Sequence, residues 1–169
     1  IEYAIQQGAQ VINMSFGTNL SSDIMDEVLE EAADKGVILV AAAGNEASDK
    51  LLYPASHSAT LSVGSVDASN KKSVFSNYNK KLILLAPGEN IQSAFSDGAY
   101  AGGSGTSFST PFVSALAALL LSKYPNKPID WIKDQIRESA KPLDKSNPNY
   151  KGKLGRGLID IQNAMSGNH

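Results

Sequence analysis

The chain has 169 residues, 42% hydrophobic and 19% charged, with a formal net charge of −2 at pH 7. That is enough for one compact domain with a real core, and the charge balance argues against nucleic acid or an anionic membrane surface as partner. No apolar run is long enough to cross a bilayer, since Lys123 closes the longest, and the absence of cysteine excludes disulfide frameworks and thiolate chemistry.

In chain order, Ile1 to Gln7 reads as the closing turns of an amphipathic helix ended by Gly8. Neither an initiator Met nor a signal peptide precedes it, so the expectation is a fragment, made by design or by nicking. Val11 to Met14 is short, apolar and β-branched at its start, as a buried strand should be. From Ser22 a helix is signalled by Asp23, Asp26 and Glu27 at its start and Gly36 after its end, with Met25, Val28, Leu29 and Ala32 on one face. Val37 to Ala43 is a continuous apolar strand, the mark of a parallel sheet covered on both sides. The alternation predicts βαβ units with a right-handed crossover.

A polar loop, Glu46 to Ser56, leads to a strand over Thr60 to Val66, and Leu82 to Leu85 reads as another, halted by Ala86-Pro87-Gly88. Ile91 to Phe95 and Ala99 to Ala101 flank Asp97-Gly98, a hairpin signal. A central helix is predicted from Thr106 to Tyr124, with Pro111 in its first turns and Pro125 beyond its end. Apolar residues lie all round it, so it should be buried. Pro128 to Ser139 is an amphipathic helix whose Trp131 belongs to the core. A proline-interrupted loop follows, and a short helix over Ile161 to Met165 closes the chain.

The stretch Gly102-Gly103-Ser104-Gly105-Thr106-Ser107 runs directly into that central helix. A hydroxyl and free N–H groups at the positive end of a helix dipole can stabilise a developing negative charge. A phosphate loop would need a lysine after the last glycine, and a nucleophile elbow would need G-x-S-x-G; neither is present. Two readings of Ser107 remain on local physics, a helix cap and a nucleophile. Similarly, Ala43-Gly44-Asn45 follows a buried strand at the end where open α/β sheets place ligands, yet alone it also reads as a turn.

Gly105-Thr106-Ser107-Phe108-Ser109-Thr110-Pro111 resembles the active-serine signature of the subtilisin-like serine proteases, G-T-S-x-[AS]-x-P. Two further family motifs stand in the expected order, S-[LF]-G at Ser15-Phe16-Gly17 and A-G-N at Ala43-Gly44-Asn45. The resemblance spans nearly all of residues 1 to 166, as the C-terminal half of a catalytic domain. It implies a three-layer α/β parallel-sheet fold, incomplete here, over a single domain part covering 1–169. It assigns Ser107 as nucleophile, and Asn45 with the Ser107 N–H as oxyanion donors. Ser15, Phe16 and Gly17 would pair with an extended peptide substrate, with Ala43 and Gly44 as the facing wall. Leu51 to Pro54 falls where the family closes the bottom of the S1 pocket, and Leu52, at a position often smaller, implies a shallow or altered pocket.

The same resemblance defines what is missing. His57 and His169 stand outside any H-G-T context, and no D-T-G or D-S-G motif occurs. The isolated chain should be close to inert, with Asp and His supplied by an N-terminal segment, nicked or co-assembled, and a prodomain as a further partner. His57 reads as a solvated loop residue, with an acidic P1 side chain as its alternative partner. Phe112 follows Pro111 where many relatives have histidine, a structural change. Ile83 replaces an Asp that helps several relatives bind a cation, so no metal or other cofactor is expected in this chain, and any calcium site would fall in the missing N-terminal half. The family implies a secreted bacterial endopeptidase, with leader-removing maturation proteases as a narrower likeness. The alternative from another class is an inactive peptide-binding scaffold of the same fold.

Overall fold

The computed structural model describes residues 1–167. After a short first helix, α1 (Glu2–Gln6), four strands form a parallel sheet in sequential order: β1 (Val11–Met14), β2 (Ile38–Ala42), β3 (Thr60–Val66) and β4 (Leu84–Pro87). The first crossover is α2 (Asp23–Asp34), where the Ser22 hydroxyl accepts from the Met25 N–H at 3.4 Å and so satisfies one of the helix's orphan donors. Leu29 and Ala32 are its buried residues, and Met25 packs at the margin.

Alternation along β2 divides the core. Ile38 and Val40 join Leu61, Val63, Leu84 and Ala86 against helices α3 (Thr106–Lys123) and α4 (Ile129–Glu138). Leu39 and Ala41 turn the other way, to Leu29 and Ala32 of α2. A strand whose side chains alternate between two apolar layers must be apolar throughout, and all five residues of β2 are buried. The molecule is therefore the expected three-layer α/β arrangement. On α3, Val113, Leu116, Ala117 and Leu120 are buried against the sheet, each large side chain contributing about 1.5–3 kcal/mol by leaving water. Trp131 packs at the edge of this layer, edge-on to Tyr124 at 5.0 Å.

Two expectations need correction. The fourth strand lies at Leu84–Pro87 rather than Leu82–Leu85. It is the last strand in the sheet order, and among the described residues its outer edge is hydrogen-bonded only at Leu85, to Gly157 and Ile159, so the missing N–H of Pro87 costs no ladder bond. The central helix is not buried all round either. Pro111, Ala115, Ala118 and Leu119 are exposed, because the sheet covers only one side of α3. The outer edge of β1 likewise has no strand beside it among the described residues. The hairpin pairs β5 (Ile91–Ala94) with β6 (Tyr100–Gly103). Its turn takes the left-handed backbone at both Asp97 (φ 57°) and Gly98 (φ 74°), as a tight right-twisting hairpin requires. The chain closes with α5 (Ile161–Ser166), capped by the Asp160 carboxylate accepting from the Asn163 N–H.

Candidate active site

The carboxyl ends of β1 and β2 and the amino end of α3 meet at one place. Beyond β1 comes Ser15, beyond β2 come Ala43, Gly44 and Asn45, and α3 begins Thr106-Ser107. Asn45 Oδ1 accepts from the Thr106 N–H at 2.8 Å and from the Thr106 hydroxyl at 3.0 Å. A backbone N–H can only donate, which fixes the carboxamide's orientation: oxygen toward the helix, amide nitrogen away from it. Among the described residues that nitrogen has no acceptor. The Ser107 N–H, at the head of α3, is likewise without one, as the first donors of a helix must be unless something else satisfies them.

Thr106 is the pivot. Its hydroxyl is fully buried, accepts from the Gly44 N–H at 3.2 Å and donates to Asn45 Oδ1. The residue after β2 and the first residue of α3 are thereby locked together. Ser107 is held from the other side, where the Ser15 hydroxyl donates to the Ser107 carbonyl at 2.9 Å. Asn13 donates to the Ser15 hydroxyl at 2.8 Å and accepts from Ser114 on α3 at 2.9 Å. Ser107 itself is half-buried and borders an open apolar cavity of about 440 Å³ lined by Phe108, Pro111 and Phe112.

Leu52 stands between the other two segments. A Cβ on Gly17 would lie 2.8 Å from the Leu52 Cβ, and one on Gly44 would lie 2.8 Å from the Leu52 Cγ. Thr18 and Tyr53 exchange backbone hydrogen bonds at 2.8 Å each, and the Leu52 N–H donates to Ala43 O at 2.9 Å. Phe16 is 55% exposed. The backbone groups of Ser15, Phe16 and Gly17 have no partners among the described residues, so this edge can accept an added strand. Ala43 differs from its neighbours: it is fully buried in a cluster with Leu82 and Leu85, and its N–H and C=O are engaged by Val63 and Leu52. It supports Gly44 from below.

His57 turns away from this junction. Its Nδ1 accepts from the Ala59 N–H, which leaves the proton on Nε2, 3.6 Å from an Asp26 carboxylate oxygen. The same oxygen accepts from the Tyr53 hydroxyl at 2.8 Å; burial, reinforced by Asp26, pushes that phenol well above its usual range. An aspartate already facing the imidazole replaces the acidic P1 side chain considered from sequence. His169 lies outside the described residues. At Ile83 the N–H donates to the Ser62 hydroxyl and the carbonyl accepts from the Arg156 N–H. No group of three or more potential metal-ligating side chains occurs among the described residues.

Sequence reasoning missed the residues that hold the site together. Thr106 lay inside a quoted motif, and its position before the serine was the available signal. Asn13 and Ser114 had none, because the hydrogen bond that joins β1 to α3 links residues 101 positions apart.

The subtilase family profile (Peptidase_S8) matches residues 1–157. Subtilisin NAT of Bacillus subtilis subsp. natto is 39% identical over 171 residues, covering 97% of this chain and 43% of that protein. Among solved structures, the prenylagaramide maturation protease PagA has a TM-score of 0.89 at 34% identity, covering 98% of this chain and 64% of that chain. The patellamide maturation protease PatA gives 0.89 at 33% identity, covering 98% and 65%. The chain thus spans less than two thirds of the length of each.

Proposed function

The chain belongs to the subtilase family, and from that premise we propose that it is the serine-bearing part of a serine endopeptidase. The observation that carries the proposal is the locked pair at the head of α3. Asn45 is held through its oxygen by Thr106, the residue before Ser107, which leaves the Asn45 amide nitrogen and the Ser107 N–H both without a partner among the described residues. An extended peptide adds as a strand along Ser15, Phe16 and Gly17. Gly44 and Leu52 bound its side-chain groove, and Leu52 keeps that groove shallow.

The Ser107 hydroxyl attacks the scissile carbonyl carbon, and its proton passes to a histidine carried by the N-terminal segment, oriented by an aspartate of that segment. The carbonyl oxygen becomes an oxyanion held by the Asn45 amide and the Ser107 N–H. Collapse of the tetrahedral intermediate breaks the C–N bond, the histidine returns the proton to the leaving amine, and water then releases the acyl group. The apolar cavity beside Ser107 and the uncovered side of α3 give the partner segment its seat. A prodomain and a secreted location follow the family pattern, and any calcium site would fall in the N-terminal segment. The two structural relatives are described as maturation proteases, which supports peptide maturation as the task of this one.

The test uses the full-length protease. An active-site fluorophosphonate should label Ser107, read by mass spectrometry of the modified peptide, and Ser107→Ala should abolish both labelling and turnover. Unchanged hydrolysis by Ser107→Ala removes the proposal, and a full-length protein that binds peptide but neither hydrolyses it nor takes the label is the peptide-binding scaffold.

A further inference from the structure

The loop bearing Asn45 is held from beneath by a residue outside every motif. Asn77 is 1% exposed and spends its backbone N–H and the whole hydrogen-bonding capacity of its side chain on residues 43 to 48. Its backbone N–H donates to Gly44 O at 3.0 Å. Its Oδ1 accepts from the Glu46 N–H at 2.9 Å and the Ser48 N–H at 3.0 Å. Its Nδ2 donates to Ala43 O at 3.2 Å and to the Glu46 carboxylate at 2.7 Å. The two backbone donors fix which end of the amide is oxygen, and both lone pairs and both N–H groups are then used.

This loop needs such a clamp. It passes through left-handed backbone at Gly44 (φ 113°) and Ala47 (φ 54°), and the backbone of Asn45 makes no hydrogen bond among the described residues. Thr106 fixes the Asn45 side chain, while Asn77 fixes the chain on either side of it. Asn77 is itself anchored. The neighbouring Ser76 hydroxyl accepts from the Ser65 N–H of β3 at 2.9 Å, and the Ser76 and Ser73 carbonyls each accept from the Lys72 ammonium at 2.8 Å. Burial holds that ammonium below the usual lysine range, with the Tyr150 ring 4.7 Å away.

We infer that Asn77 is a positioning residue for the oxyanion donor: it sets residues 44 to 48 so that the Asn45 amide meets the developing charge, without touching substrate. The inference rests on the peptidase reading above. A donor displaced by about 1 Å loses on the order of 10²-fold in rate. Asn77→Ala in the full-length protease should therefore lower kcat by ~10-fold to ~10²-fold, with KM changed less than ~3-fold.

The deciding measurement is a double-mutant cycle with Asn45→Ala. With the donor already gone, adding Asn77→Ala should cost kcat less than ~3-fold more. The same large factor in both backgrounds, or no effect in the first, overturns the inference. Should Asn77→Ala fail to fold, Asn77→Asp takes its place. It keeps both acceptors for the Glu46 and Ser48 N–H groups but sets a carboxylate against Ala43 O and Glu46. It should lower kcat, and Glu46→Gln should restore part of the loss by supplying an N–H donor; wild-type kcat for Asn77→Asp overturns the inference. Ser107→Ala runs in parallel, and hydrolysis surviving that change sinks the peptidase reading instead.

Discussion

Thr106→Val isolates one hydroxyl at almost constant volume. The side chain is fully buried, so the change opens no large cavity, and its whole effect is two hydrogen bonds. The Gly44 N–H loses its acceptor inside the protein, at about 1–3 kcal/mol for a buried unsatisfied donor. Asn45 Oδ1 keeps the Thr106 N–H at 2.8 Å and loses only the second donor, at about 1 kcal/mol net. Together these lower folding stability by about 2–4 kcal/mol. Catalysis falls for a separate reason, because a carboxamide held by one bond instead of two can swing. Full loss of such a donor costs ~10²–10³ in kcat, a magnitude carried over from subtilisin. Loosening it should cost about 10-fold, equivalent to about 1.4 kcal/mol. The assay is kcat on a chromogenic peptide with the full-length protease, normalised to the concentration of labelled serine, alongside the urea midpoint. Thr106→Ser, which retains the hydroxyl, should stay near wild type in both. If Thr106→Val keeps its midpoint and turns over within 2-fold of wild type, the hydroxyl is not what aligns Asn45.

Gly44→Ala drives a Cβ into Asn77 Nδ2 and to 2.8 Å from the Leu52 Cγ, at a φ of 113° that L-residues rarely adopt. Strain of about 1–3 kcal/mol and overpacking of a similar size predict a loss of about 2–5 kcal/mol by denaturant titration; a loss below about 1 kcal/mol would mean that the loop has room. Asp160 caps α5 and meets Lys141 at 2.7 Å. The Lys141 ammonium, followed by the Asn163 N–H, holds its carboxyl below the usual carboxylate range. Since the folded form is the stronger acid, the stabilisation is present above the ordinary aspartate range and is lost as pH falls through the depressed value. Asp160→Asn should therefore narrow the stability difference between neutral and acidic pH, seen as melting temperatures at pH 7 and pH 3. An unchanged difference would assign the acid sensitivity elsewhere.

Local chemistry was enough to read most elements. Ser22 with Asp23 and Asp26 set the start of α2, the unbroken apolar run of β2 announced a sheet covered on both faces, and Asp97-Gly98 named the hairpin turn. Each is written within a few neighbouring residues. One strand boundary and one burial pattern were missed because the deciding influence came from outside the segment. The fourth strand slid to Leu84–Pro87 through its register on β3, Val63 opposite Leu84. The exposed side of α3 reflects what does not cover it rather than its own composition.

The site divides in the same way. Ser107 and Asn45 could be picked out from their motifs, because a hydroxyl at a helix head and an amide after a buried strand carry their chemistry with them. That Thr106 joins them, that Asn77 underpins their loop, and that His57 faces Asp26 instead of the cleft depended on the folded arrangement. A hydrogen bond between residues 61 or 31 positions apart leaves no local trace. Residue type along the chain thus determined which groups can react, and only the packing of the sheet against α3 decided which of them meet.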